Sequence, residues 1–372
     1  VFLGGLIVDN WNDAFDAGAS APFGLRGWQA AFMAVGLPGV LMALWVWTLR
    51  EPQRGLSEGL PPAPAHPAPF RAALDELFSV LPPFTLYALW RAGAGARGIA
   101  LNLAVAATVA LLAFALVQAA GSPAQWVALG VGVYAALSWA QNLALRDRPA
   151  FGLILGSPAM RRVLIGFPCI SFVTYGIGFW GAPFFIRVHG ASASEVGTFL
   201  GLSAAAGGWI GVTLGGVLSD RFKARHPAAR VWVGLLTALA SVPAALTVLF
   251  TDSLVVAYVA NFFFSVLSPM WVGCAATTVT DLVLPRMRAL ASSFYILMNT
   301  FVGLALGPWT IGRLSDAFAA SGMEAGEALR YGMLSALAIL LLVTAALLSA
   351  TRHVGRDEAT RLERARALGE PA

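Results

Sequence analysis

Long apolar segments separated by short polar connections dominate this chain. A bilayer core about 30 Å thick is crossed by about 20 apolar residues in a helix that rises 1.5 Å per residue. By that measure the sequence has a partial span that ends near Val8, followed by nine full spans. The full spans are 28–49, 99–120, 125–144, 162–186, 196–218, 229–250, 254–280, 289–312 and 331–350. The pattern predicts an all-α, polytopic membrane protein.

The segment 50–98 connects two predicted spans and does not have the sequence pattern of a membrane span. Its beginning, Glu51-Pro-Gln-Arg-Gly55, favours the end of a helix, and the Pro- and Ala-rich stretch 61–69 predicts an extended linker. Apolar residues then recur every three or four positions over 70–81, with charged residues between them. This spacing predicts a short amphipathic helix that lies either on the membrane surface or under neighbouring spans.

Composition supports a membrane protein. Of the 372 residues, 58% are hydrophobic and only 12% are charged, about half the charged share of an ordinary soluble domain. Together with a mean hydropathy of +0.74, this excludes a soluble enzyme, a nucleic-acid-binding domain and a disordered scaffold. The two cysteines lie in apolar runs and the four histidines are scattered, so we expect no disulfide framework, metal site or cofactor.

Basic residues are distributed unevenly between the two sides of the predicted topology. The connections after residues 49, 144, 218 and 280, with the tail after 350, hold twenty of the 24 Arg and Lys. The other side holds Arg26, Arg187, Arg313 and Arg330. The positive-inside rule therefore predicts a cytoplasmic C-terminus. The basic residues are almost all Arg, and the spans are rich in Ala. This composition is typical of a GC-rich bacterial gene, so we expect a bacterial inner-membrane protein.

A short string recurs at the ends of three predicted spans. Its copies are Gly4-Gly-Leu-Ile-Val-Asp9, Gly215-Gly-Val-Leu-Ser-Asp220 and Ile311-Gly-Arg-Leu-Ser-Asp316. Repetition on this scale indicates duplicated helical bundles, a frequent plan of transporters. Gly at these places allows two helix backbones to approach closely, and the Asp is expected to cap a helix or form a pair at the interface.

Two groups of residues resemble the major facilitator superfamily. The run Gly-Val-Leu-Ser-Asp-Arg-Phe-Lys-Ala-Arg at 216–225 is similar to its cytoplasmic signature between the second and third helices of a bundle, although a longer basic run replaces the later Gly. The segments 28–55 and 284–316 resemble the spinster-like branch of the superfamily. Because the chain begins with Val1 inside an apolar run, we expect a fragment that lacks helices one to four.

The resemblance implies a domain plan of five parts. They are the end of an N-terminal bundle with helices five and six (1–49), a cytoplasmic linker with the amphipathic helix (50–98), two extra transmembrane helices (99–144), a complete C-terminal six-helix bundle (145–350) and a cytoplasmic tail (351–372). The two extra helices are expected to be either a lipid-facing insertion or a part of the transport machinery.

Candidate gate residues lie in the signature; they are Gly216, Asp220, Arg221 and Arg225. A carboxylate at the membrane edge can hold a guanidinium from a neighbouring helix and release it when the bundle tilts. The resemblance implies such a role for Asp220 in stabilising an outward-open state. Alternatively, the basic residues only set the topology.

The spans expected to line a central cavity carry almost no charge. Their polar and aromatic candidates are Thr174, Tyr175, Trp180, Trp209, Asn261, Ser265, Ser268, Trp271 and Asn299. Asn in hydrocarbon needs a hydrogen-bond partner, so Asn261 and Asn299 are expected to face the bundle interior, toward substrate or another helix. A cavity this apolar and rich in Trp favours a small amphipathic organic solute over a sugar or an inorganic ion.

Taken together, these features predict a transporter that moves such a solute across a lipid bilayer by alternating access. No acidic residue lies in the middle of a span, so coupling to a proton or another ion would reside in the missing helices, unless the protein is a uniporter. Two alternatives stay open. A truncated relic or subunit would not transport, and a membrane-bound transferase would need a His–carboxylate cluster that this sequence does not show.

Overall fold

The computed structural model describes residues 2–15, 21–50 and 67–371. The α-helices are α1 (Phe2–Ala14), α2 (Gly27–Trp47), α3 (Pro69–Val80), α4 (Phe84–Arg91), α5 (Gly95–Ala120), α6 (Pro123–Arg146), α7 (Arg148–Ile154), α8 (Pro158–His189), α9 (Ala193–Lys223), α10 (Ala229–Phe250), α11 (Leu254–Leu267), α12 (Trp271–Asp281), α13 (Arg288–Met298), α14 (Gly307–Ala320), α15 (Ala325–Ala336), α16 (Ile339–Ala359) and α17 (Arg361–Ala367). Within these ranges nine helical stretches are long and apolar enough to cross a membrane, and they coincide with the nine predicted spans. The all-α, polytopic fold is thereby confirmed.

Helix α8 lies at the centre of the C-terminal bundle, which follows the two extra helices α5 and α6 in the chain. It packs against α14, α15 and α16. Phe167, Phe184 and Phe185 of α8 are fully buried, whereas most spans expose large apolar side chains on their outer faces. A helix that is apolar on every face is stable in such a central position, and the outer faces suit hydrocarbon.

Two spans are interrupted where the sequence predicts bends at proline. A three-residue 3-10 turn, Ser268–Met270, separates α11 from α12 and contains Pro269. A π-helical segment, Asn299–Leu306, separates α13 from α14 just before Pro308. Proline has no N–H to donate and its ring crowds the preceding turn, so one α-helical hydrogen bond is lost at each site, and here the backbone adopts a 3-10 turn or a π-helical segment instead.

Helix α9 packs on the α11–α12 span through a seam of glycines. A Cβ at Gly207 would lie 2.8 Å from the Ser265 backbone, and one at Gly211 would overlap the Val266 carbonyl oxygen. One at Gly215 would likewise overlap the backbone of the 3-10 turn. The spacing of four residues brings all three onto one face of α9, so the two backbones are in direct contact.

The first two helices form a hairpin. Helix α1 continues beyond the span end that was predicted near Val8 and packs against α2 and α9. The Trp11 indole N–H donates to the Leu25 carbonyl at 2.9 Å, and Gly27 lies directly against Asn12. These contacts fix the crossing of the two helices at the turn, while α2 is exposed from Phe32 onward.

Helix α3 occupies the residues for which an amphipathic helix was predicted. It packs against α4 and α6, and ion pairs join Asp75 to Arg91 at 2.8 Å and Glu76 to Arg146 at 3.3 Å. The apolar side chains Phe70, Leu74 and Leu77 nevertheless stay exposed, so both predicted settings, on the membrane surface or under neighbouring helices, remain open. The short helix α4 was not anticipated, and most of the predicted linker (61–66) lies outside the described residues.

The extra helices α5 and α6 are seated on the α13–α14 span. The Trp126 and Trp309 rings meet edge to face at 4.7 Å, and the Gln125 amide donates to the Ala305 carbonyl of the π segment at 3.1 Å. Farther along α6, Trp139 stacks on Phe294 at 5.2 Å. The pair is therefore joined to a span of the C-terminal bundle along its length.

A buried polar network holds α5 and α6 together. The Asn102 amide donates to Ser138 Oγ and to Gln141 Oε1, both at 3.0 Å, and its carbonyl oxygen accepts from Tyr134 at 2.7 Å. Gln141 in turn donates to the Gly98 carbonyl at 2.8 Å. Because every polar group of Asn102 has a partner, the network stabilises one register of the pair.

Asn102→Leu is expected to weaken the α5–α6 pair, because three hydrogen bonds are lost and buried partners are left unpaired. Interhelical hydrogen bonds in membranes contribute about 0.6–2 kcal/mol, so we expect a loss of about 2 kcal/mol. Faster amide exchange across α5 would report it. Gln118→Leu is the matched control, since Gln118 is an exposed amide on the same helix. Equal exchange in the two variants would show that the network does not stabilise the pair.

The C-terminal residues fold back on the bundle. Helix α16 continues past the predicted boundary of the tail to Ala359, and α17 then packs on α7. Arg286 pairs with Glu370 and, at 2.6 Å, with Asp147 at the end of α6. Burial raises the pKa of Asp147, but hydrogen bonds from Arg286 and the Ala150 N–H outweigh it and hold that pKa below its usual value.

Candidate functional site

The ends of four helices meet in a charged cluster at the basic end of the bundle. Arg230, in the first turn of α10, donates to Asp220 of α9 at 2.9 Å and also pairs with Asp281 at the end of α12. The Arg230 side chain is 17% exposed and that of Asp281 is 26% exposed, whereas Asp220 is 65% exposed. Arg230 is therefore a partly buried cation that links two carboxylates from different helices.

A second cation extends the cluster to α16. Lys223, in the last turn of α9, pairs with Glu358 and lies 3.4 Å from Asp281. The Arg361 guanidinium of α17 donates to the Asp281 backbone carbonyl at 2.8 Å. We call Asp220, Lys223, Arg230, Asp281 and Glu358 the ion-pair cluster. It contains two cations and three carboxylates, and it ties the ends of α9, α10, α12 and α16 together.

The structure separates the four candidate gate residues. Asp220 is in the ion-pair cluster, whereas Arg221 and Arg225 are exposed and form no ion pair with any other described residue. A Cβ at Gly216 would meet nothing within 4 Å, and the adjacent Gly215 is the one in close contact. Within the signature, Asp220 thus pairs with a residue of another helix, whereas Arg221 and Arg225 do not.

The cluster has the properties of a contact that can be exchanged. Exposed ion pairs contribute about 0–1 kcal/mol each, and partly buried ones contribute more but lose more when one partner is removed. Asp220, the most exposed member, can leave Arg230 for water while Asp281 keeps the cation neutralised. A tilt of α9 against α10 therefore costs one pair and does not bury an unpaired charge.

Four cavity candidates are engaged in helix packing. Thr174 of α8 and Ser268 of the 3-10 turn share a hydrogen bond of 2.9 Å. Trp271 is buried and its ring stacks on Phe167. The Trp180 indole N–H donates to the Pro308 carbonyl at 2.7 Å. These side chains join α8 to the two interrupted spans.

The other cavity candidates are exposed or have side-chain polar atoms without a hydrogen-bond partner among the described residues. Trp209 is 75% exposed and Tyr175 is 43% exposed. Asn261 is half-buried and has no side-chain hydrogen bond to another described residue. The Asn299 side-chain oxygen is buried without a partner among the described residues, as is the Ser171 hydroxyl on α8. Ser171 lies against Gly303 in the π segment.

Sequence reasoning missed several residues of these sites. Arg230 and Lys223 were interpreted as topology signals, and Asp281 as an isolated acid at a span end. Arg230 and Asp281 are 51 residues apart, so no local spacing could have paired them. Ser171 looked like an ordinary small residue of an apolar span. The close approach at Gly215 was predicted from its string, and Gly207 and Gly211 extend the same small-xxx-small pattern toward the start of α9.

Comparisons with known proteins agree with this architecture. A family model described as Major Facilitator Superfamily matches residues 1–308. An MFS-type efflux pump of Mycolicibacterium smegmatis is 27% identical over 191 residues, which are 51% of this chain and 44% of the pump. Protein spinster homolog 1 of Bos taurus is 29% identical over 192 residues, which are 48% of this chain and 35% of that protein. The chain thus spans less than half the length of these relatives.

Solved structures share the fold, and one of them is that of a bacterial homologue of the human lysosomal transporter Spinster, in an inward-facing and unoccupied conformation. The two chains superpose with a TM-score of 0.57 at 24% identity, over 96% of this chain and 68% of the other. At this identity the likeness shows the fold alone.

Proposed function

Because the chain belongs to the Major Facilitator Superfamily, with spinster-like relatives, we propose that it acts in a transmembrane transporter. The transporter moves a small amphipathic organic solute by alternating access. Family membership confirms the resemblance seen in the sequence and disfavours a membrane-bound enzyme. The part of the fold that we assign to the moving C-terminal bundle is 145–350, with 1–49 belonging to its N-terminal counterpart.

The ion-pair cluster is the observation that carries this proposal. It joins four helix ends at one end of the bundle, and its most exposed member, Asp220, is the aspartate of the signature. Alternating access requires contacts at a membrane face that are stable in one state and released in another. The Asp220–Arg230 pair supplies such a contact, since the carboxylate can exchange Arg230 for water.

The substrate class follows from the side chains that packing leaves free. Trp209 and Tyr175 expose aromatic surface, and the half-buried Asn261 has no side-chain hydrogen bond to another described residue. Aromatic surface with a few hydrogen-bonding groups suits a solute with an apolar body and a small polar part. The printed name of the mycobacterial relative, an efflux pump, is consistent with export of such a solute.

We place the multi-pass chain in a bacterial inner membrane with the ion-pair cluster and the C-terminus on the cytoplasmic side. The excess of Arg at that end supports this orientation. Every carboxylate within the nine spans lies near a helix end, so these spans offer no mid-membrane acid for coupling to a proton. Any coupling ion would bind elsewhere in the transporter.

Asp220→Asn is expected to impair transport while the protein still inserts and folds. The amide can still accept a hydrogen bond from Arg230 but carries no charge to form the ion pair, so the state that needs this pair loses about 1 kcal/mol, roughly a fivefold shift in population. The measurement is efflux of ethidium, an amphipathic probe, from cells that express the complete reading frame containing these residues.

Asp75→Asn is the matched control, because it removes an Asp–Arg pair of similar length on α3. We expect the control to transport at the wild-type rate and both variants to reach wild-type abundance in the membrane. Unchanged efflux by Asp220→Asn at equal abundance would contradict the gate. No ethidium efflux by the wild type would instead contradict this choice of substrate, and amide exchange over 218–231 would then still report the gate.

A further inference from the structure

A basic turn between α9 and α10 joins a cleft that contains charged residues to an apolar groove. The cleft has a volume of about 1010 Å³ and lies beside the ion-pair cluster. The groove has a volume of about 350 Å³, and its apolar lining consists of Phe222, Ala229, Trp232, Val233 and Leu236. Arg225 and His226 line both. Charged and apolar surfaces thus meet at these two side chains.

Both side chains are available to an anion. Arg225 is exposed, and no carboxylate of the described chain pairs with it. The His226 Nδ1 atom accepts a hydrogen bond from the Ala228 N–H at 3.1 Å. In the neutral ring the proton therefore resides on Nε2, which is left as a donor. The junction offers a guanidinium and an imidazole N–H that the ion-pair cluster does not use.

The turn that carries these donors is held in place. Lys223 Nζ donates to the Pro227 carbonyl at 3.1 Å. The Pro227 ring packs on α16 at Gly355, where a Cβ would lie only 2.9 Å from Pro227 Cγ. A binding surface that is already rigid loses little conformational entropy when a ligand arrives.

We propose that this junction binds an anionic phospholipid. Its phosphate contacts Arg225 and His226, and one acyl chain lies in the groove along Trp232 and Leu236. Two observations select a lipid over a free phosphate or a protein. The basic pair borders an apolar groove rather than open solvent, and Trp232 and Leu236, 45% and 67% exposed, lie on a membrane-spanning helix. Basic pockets next to spans at a membrane face recognise anionic headgroups in this way.

The test uses the purified product of the complete reading frame in bilayer discs of phosphatidylcholine and phosphatidylglycerol at about three to one. Native mass spectrometry then counts the lipids that stay bound after the disc is removed. We expect retained phosphatidylglycerol in the wild type and about fivefold weaker retention for Arg225→Ala, since one basic residue near the surface contributes about that factor. Arg225→Ala with His226→Ala should retain still less.

Arg352→Ala is the matched control, because Arg352 is an exposed arginine of α16 at the same end and lines neither the cleft nor the groove. It should retain the wild-type amount. Leu236→Asp should lose phosphatidylglycerol although both donors remain, which supports a chain in the groove. Equal retention in Arg225→Ala and the wild type would overturn the proposal. So would equal retention of phosphatidylcholine, or full displacement by millimolar glycerol phosphate.

Discussion

Gly211→Leu is expected to lower the free energy of unfolding by about 3 kcal/mol, at the upper end of what overpacking costs and the largest effect among the substitutions considered. Gly211 lies where α9 crosses the α11–α12 span, and even a Cβ there would overlap the Val266 carbonyl oxygen. Pro269 Cγ, in the 3-10 turn of the same span, would lie only 3.0 Å away. Neither is the free end of a flexible side chain, so the helices must separate and lose the contacts at Gly207 and Gly215.

The measurement is equilibrium unfolding in detergent, with the yield of folded protein as a second readout. Gly208→Leu is the matched control, because it makes the same change on the next residue, where a Cβ meets nothing within 4 Å. We expect the control to unfold close to the wild type. If Gly211→Leu were as stable as Gly208→Leu, the close approach of the two backbones would be refuted.

Arg230→Gln is expected to destabilise the basic end of the bundle by about 2–3 kcal/mol. Arg230 is the cation for both Asp220 and Asp281, and its removal leaves two carboxylates on different helices with Lys223 as the neighbouring cation. Removing one member of a buried pair costs about 3–5 kcal/mol. We reduce that figure because solvent reaches all of these side chains.

The readouts are unfolding in detergent and amide exchange at the ends of α9 and α12. Arg352→Gln is the control, since it removes an exposed arginine at the same end. Arg230→Lys should recover part of the loss, because an ammonium keeps the charge but cannot hold two carboxylates as the planar guanidinium does. Arg230→Gln with the stability of Arg352→Gln would show that the cluster does not hold the helix ends together.

The span pattern could be predicted closely because a membrane selects for apolar length. All nine predicted spans coincide with helices, and the ends differ by a few residues to about ten. The larger differences lie where polar residues continue a helix beyond the apolar stretch, as in α16, which runs on to Ala359. Apolar length indicates where a helix is in hydrocarbon, not where its hydrogen bonds end.

The candidate site was predicted only in part. The signature located Asp220 correctly at a helix end, but its partner Arg230 lies on the next helix and had been interpreted as a topology signal. Trp180 and Trp271 were candidates for the cavity because of residue type, yet each is engaged in packing, by a hydrogen bond to Pro308 or a stack on Phe167. The residue type limits which interactions a side chain can form, and the neighbouring residues in the folded protein determine which of these interactions it does form.

The sequence by itself determined that this protein is a helical membrane protein of the superfamily, with nine spans and a basic end. Those properties depend on apolar length, charge distribution and short motifs, each of which is read along the chain. Only the tertiary structure decided that Arg230 joins Asp220 to Asp281, that α6 rests on the π segment, and that Arg225 borders a groove. These depend on how helices distant in the chain pack, since packing alone sets the distances between their side chains.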